Sequence, residues 1–185
     1  MTANAIPERR RPTLEPPDEK VDHVRGPATE VGAGHLIVEY GDYECPYSRL
    51  AFREIERVEQ QLAGRTRFAF RHFPLTEIHP HALSAAAAAE AAARQDRFWD
   101  MHDLLFDRQQ ALEDDDLRRY AAELALDLGR FDADRTGADV LSRIRRDVES
   151  GMATGQVRGT PTLFLDGFVH RGDYAAATLI EALAR

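Results

Sequence analysis

The sequence predicts an α/β fold: a strand–helix–strand unit, then a long helical stretch, then a hairpin and a last helix. Three observations predict it. The apolar run "HLIVEY", an amphipathic stretch and the alternating run "RTRFAFRHF" follow one another within about forty residues, the length of a βαβ unit. Residues 77–155 carry helical patterning throughout. "TPTLFLDGFVHRG" sets two apolar runs on either side of Asp166–Gly167, a strong turn signal. A chain of 185 residues fits one domain with a subdomain inserted in it.

Residues 1–30 hold five of the nine prolines and many charges, without periodic apolar positions. They read as an extended or disordered arm, and 31–185 as the folded domain. Leu36, Ile37 and Val38 form a short buried strand. The next helix follows Cys45, with Ala51, Ile55, Val58 and Leu62 on one face. Pro46 suits its first turn, where the missing N–H costs nothing, and Gly64 can end it. In the second strand Phe68, Phe70 and His72 alternate with Arg67, Ala69 and Arg71. A parallel pair joined by a helix crosses over right-handed.

Four helices are expected next. Pro80 opens the alanine-rich "HALSAAAAAEAAARQ", made of the best helix former. Asp96 is expected to cap a second helix bearing Phe98, Met101 and Leu105. Asp114–Asp116 begin a third, with Leu117, Tyr120, Ala121, Leu124 and Leu128 inward. A fourth runs near Ala138–Met152 on Val140, Leu141, Ile144 and Val148. After the hairpin, Asp173 is expected to cap the last helix, through Leu179, Ile180 and Leu183.

The formal charge of -8 argues against nucleic acid and anionic membrane as partners, and no basic patch with interleaved aromatics offsets it. No run reaches the length of a membrane span, and no leader is read, so a reducing, cytoplasmic setting is expected. One cysteine excludes an internal disulfide and a cysteine-only metal site within one chain.

That cysteine closes a strand and opens a helix. The first N–H groups of a helix lack intrahelical partners, and the helix dipole adds positive potential there. Both favour thiolate, the nucleophile of disulfide exchange. Ser48, one turn on, is expected to offer its hydroxyl to the sulfur, while the carboxylates of Asp42 and Glu44 oppose the thiolate. The other candidates read as structural. His79 and His81 flank Pro80 as cap and surface residues, so no metal set is assigned. Arg71 and His72 are strand-end residues near the active-site edge, where either is able to meet an anionic thiol. Phe98, Trp99 and Phe106 belong to the core, and the acidic run at 113–116 to a helix start.

"VEYGDYECPYS", "FAFRHFPL", "IHPHA", "FWDMHDLLF" and "GTPTLFLDG", in that order, resemble the DsbA-like branch of the thioredoxin superfamily over about residues 22–183. The resemblance implies a thioredoxin core with a helical subdomain inserted at about 77–155. It implies that Cys45 is the nucleophile, that Pro46 and Tyr47 are the dipeptide tuning it, and that Thr160–Pro161 is a substrate-binding loop with a cis proline. Ser48 departs from the family, which usually has a resolving cysteine there. The implied activity is thiol–disulfide exchange by a monothiol route through Cys45 with Ser48 beside it. No cofactor is expected beyond a small thiol such as glutathione as co-substrate, and the partners are protein or small-molecule disulfides. Two other readings stay open: a non-catalytic interaction module, and a Cys-to-Ser trapped form of a dithiol enzyme.

Overall fold

A computed structural model describes residues 13–27 and 34–185. Five strands form one sheet: β1 (His23–Arg25), β2 (His35–Gly41), β3 (Thr66–His72), β4 (Thr162–Leu165) and β5 (Phe168–Val169). Their order is β1-β3-β2-β4-β5. β2 and β3 run parallel, with Ile37 opposite Phe68 and Gly41 opposite His72. The crossover between them is α1 (Pro46–Gln61). β4 lies antiparallel to β2, and β5 antiparallel to β4. α7 (Ala176–Leu183) closes the chain and packs on α1.

Alternation along the strands sorts the core into two faces. Ile37, Phe68, Phe70, Leu163 and Leu165 face α1, α7 and part of the inserted subdomain. Val38, Tyr40, Ala69 and Phe164 face the other way, where Leu14, Phe73 and Val157 cover them. Gly151, near the end of α6 (Ala138–Ala153), lies against Tyr40 and Phe73 on that side.

The insertion sits between β3 and β4 and holds five helices rather than four: α2 (Ala82–Ala93), α3 (Phe98–Asp107), α4 (Asp114–Glu123), α5 (Leu128–Arg135) and α6. α2 is its axis and touches the other four. Ala85 to Ala92 are buried all round, as a helix apolar on nearly every side must be, and Glu90 is buried among them. α5 escaped the sequence reading because Phe131 is its one buried residue, too little to make a stripe. Its N-cap Asp127 accepts from Arg130 N.

Other boundaries also differ from expectation. The far end of the arm is not loose: β1 pairs antiparallel with β3, and Leu14 is buried. Three residues cannot show an alternation, so sequence alone did not reveal the strand. Residues 1–12 and 28–30 of the arm lie outside the described residues. Asp96 does not cap α3; it takes a left-handed φ of 59° and Arg97 is the N-cap. Asp173 does not cap α7; its Oδ1 accepts from Ala175 N in the preceding turn, and Ala175 is the N-cap. Glu113 and Asp116 form a capping box at α4.

Candidate active site

Cys45 is the N-cap residue of α1, with extended backbone (φ -74°, ψ 119°). It is there because β2 ends at Gly41, the 42–45 turn closes through Cys45 N donating to Asp42 O, and Pro46 starts the helix. The thiol is 4% exposed. Its Sγ–H donates to the Thr160 carbonyl oxygen at 3.3 Å. The Thr160–Pro161 peptide bond is cis. The structure therefore brings Cys45, Pro46, Thr160 and Pro161 to one point. Tyr47, next in the chain after Pro46, is 62% exposed.

Ser48 is fully buried, and its hydroxyl points elsewhere than expected. Oγ accepts from Asp42 N at 3.3 Å, with no hydrogen bond to Sγ. Asp42 and Glu44 are both engaged away from the sulfur. Asp42 Oδ1 accepts from Glu44 N, while Oδ2 accepts from Leu75 N and pairs with His79 Nδ1 at 2.7 Å. Glu44 accepts from His81 N and pairs with His81 Nδ1 at 2.9 Å. That hydrogen bond raises the His81 pKa, so the ring readily carries the charge that balances Glu44. The two histidines read from sequence as cap and surface residues thus hold the acids that flank Cys45.

Arg71 and His72 are each held in a buried pair. Arg71 is buried in a bidentate pair with Asp22, Nε and Nη2 each 3.0 Å from a carboxylate oxygen, and its Nη1 donates to Tyr40 Oη. His72 is buried against Glu90. Phe98, Trp99 and Phe106 pack with Tyr43, Phe70 and the buried His102 in the core, as read.

Three residues of the site went unread. Gln109, in the link between α3 and α4, donates from Nε2 to the carbonyls of Tyr43 at 2.7 Å and Cys45 at 2.9 Å. A lone glutamine in a connection gives no signal. Tyr174 Oη donates to Pro161 O at 3.2 Å. Glu39 is fully buried in β2, with neither oxygen hydrogen-bonded among the described residues. Burial pushes its carboxyl up to about 8. Burial, with the charges of Glu39 and Cys45, raises the Tyr174 phenol; Glu39 Oε1 itself lies 2.8 Å from where a Cβ on Gly41 would stand, at the head of the active-site turn. Its signal was visible: an acid inside the apolar run "LIVEY".

A thiol at a helix start, set against the carbonyl before a cis proline on a sheet of this topology, defines a thioredoxin-like protein. Residues 20–184 match the family model described as Thioredoxin. The chain belongs to the thioredoxin family, and its inserted helices give it the fold of the DsbA-like proteins. It is similar to a thioredoxin-like oxidoreductase from Silicibacter pomeroyi, with TM-score 0.76 and 25% identity over 89% of this chain and 91% of that one. BdbD from Bacillus subtilis shares the fold, with TM-score 0.78 and 20% identity over 95% and 97% of the two chains. So does alpha-DsbA1 from Wolbachia pipientis, with TM-score 0.74 and 19% identity over 92% of each.

Among curated proteins the chain is 42% identical over 172 residues to Na(+)/H(+) antiporter NhaA 1 of Mycolicibacterium vanbaalenii. It is 45% identical over 173 residues to Na(+)/H(+) antiporter NhaA 3 of Salinispora tropica. Each match covers 92% of this chain, which spans only 27% and 25% of those relatives. No helix among the described residues is long and apolar enough to cross a membrane.

Proposed function

We propose that this chain is a thiol–disulfide oxidoreductase that works through Cys45 alone. The observation that carries the reading is Cys45 at the N-terminus of α1, its Sγ against Thr160 O, with a buried serine where a second sulfur would stand. In the first step the Cys45 thiolate attacks one sulfur of a mixed disulfide RS–SR′. A Cys45–SR bond forms, the S–S bond breaks, and R′S⁻ leaves with the electron pair. In the second step an external thiolate attacks Cys45–SR, forms a new disulfide with R, and returns the Cys45 thiolate. Ser48 cannot resolve the intermediate, since a hydroxyl held by Asp42 N is no thiolate.

The co-substrate is a small thiol such as glutathione, and the partners are protein or small-molecule disulfides. A cytoplasmic setting with a reduced thiol pool suits this chemistry. Tyr47 and Leu50, 62% and 56% exposed, offer apolar surface beside the sulfur to a disulfide-bearing chain. Glu39, with its carboxyl near 8, is able to exchange a proton inside the site near neutral pH.

The test compares the protein with Ser48→Cys, each oxidised with excess small disulfide and then freed of it. With Ser48 in place, turnover of a small mixed disulfide is expected to rise in proportion to added monothiol. The Ser48→Cys variant gains a resolver at high effective concentration, and is expected to oxidise a reduced, unfolded protein without added thiol. Turnover of the small mixed disulfide by the Ser48 protein that does not depend on added monothiol overturns the monothiol route. Absence of turnover at any thiol concentration supports the non-catalytic module instead.

A further inference from the structure

Against the core aromatics Phe70 and Phe98 lies a second cluster that thiol chemistry does not use. His23 of β1, His72 of β3 and Glu90 of α2 bring their donor atoms within 4.8 Å of one another. His23 Nε2 and His72 Nε2 each lie 2.8 Å from the same oxygen, Glu90 Oε1. The placement is rigid. His72 is buried at the end of β3, and its backbone N donates to Asp147. His23 stacks on Phe98, ring centroids 3.5 Å apart. Glu90 is fixed on the buried alanine helix. Each histidine donates to Oε1, because a carboxylate oxygen only accepts.

We propose that His23, His72 and Glu90 form a site for a zinc-class transition-metal ion. Two imidazole nitrogens and one carboxylate oxygen are a zinc donor set that leaves a fourth position for water. Nitrogen donors turn the choice away from magnesium, which takes oxygen. Donors about 2.0–2.1 Å from a tetrahedral zinc stand about 3.3 Å apart, so the two 2.8 Å contacts need open only by about half an ångström. His23, with 18% of its side chain exposed, is the way in.

Arg143 opposes the ion, with Nε 3.9 Å from Oε1, but its Nη1 is paired with Asp147. The metal would join the edge strand, the central sheet and the inserted subdomain at one point.

The experiment uses the full chain stripped with a chelator and titrated with zinc by calorimetry. Melting temperature is read with zinc, with magnesium and with chelator. Expected are one zinc per chain and a higher melting temperature with zinc than with magnesium. His23→Gln keeps an amide donor for Oε1 on a partly exposed strand. It is expected to fold and to weaken zinc binding by more than about a hundredfold, beyond the loss of a mere supporting partner. Cys45→Ser is expected to bind zinc as the parent does. The proposal is overturned by no stoichiometric binding, by binding that survives His23→Gln, or by binding lost in Cys45→Ser and kept in His23→Gln. The last result would place the ion on the thiolate.

Discussion

Glu39 shows what one buried side chain does to the energetics of a whole chain. An acid whose folded value is raised to about 8 keeps its proton in the folded state while the unfolded chain releases it above about 4.5. Between those values the unfolded state binds fewer protons, so stability falls as pH rises, by up to about 1.4 kcal/mol per pH unit. Glu39→Gln is expected to flatten this slope between about pH 5 and pH 8. Unfolding in denaturant at a series of pH values measures it, and an unchanged slope in the variant would assign the pH dependence elsewhere. Residues of this kind were half legible. Cys45 and Pro46 are marked in the chain by their types and neighbours, whereas Thr160–Pro161 stood out only through the family resemblance. Ser48's true partner, the Asp42 amide, was not, because hydroxyl direction is settled by a turn that sequence does not draw.

At the scale of elements, periodicity located β2, α1, β3 and most of the insertion, since each buries a stripe or an alternating face. It missed β1 and α5, which bury too few residues to leave a pattern. The junction of β2 with the active-site turn depends on a missing side chain. A Cβ at Gly41 would stand 2.4 Å from Phe70 Cε2 and 2.8 Å from Glu39 Oε1. Gly41→Ala must push both aside, and is expected to cost about 1–3 kcal/mol, the usual range for overpacking. A parallel loss in the rate of Cys45 alkylation or mixed-disulfide turnover would show that the strain reaches the sulfur. A variant as stable as the parent would mean that β2 has slack where none is seen.

Across the whole molecule, the order of segments along the chain matters as much as any contact. The N-terminal arm returns to the sheet through the buried Asp22–Arg71 pair, reinforced by Arg146 from α6. Burial by itself would raise the Asp22 carboxyl; the hydrogen bond and charge of Arg71 outweigh it and hold the group below its usual value. The stability it contributes is present above the unfolded value of 3.8 and is lost as pH falls through the lowered folded value. Asp22→Ala strands a buried guanidinium and is expected to cost about 3–5 kcal/mol, read from a denaturant midpoint near neutral pH. A cost near zero would mean that the arm is only laid on the sheet.

The contact between Cys45 and Thr160 joins residues 115 positions apart, with the whole helical insertion between them. Such a contact forms late, because a long intervening segment must first be ordered. During synthesis the cysteine emerges well before the loop that shelters it. An unfinished chain therefore carries an ordinary, unguarded thiol, open to any oxidant it meets. The pocket around the sulfur exists only once the segment carrying Thr160 has been made.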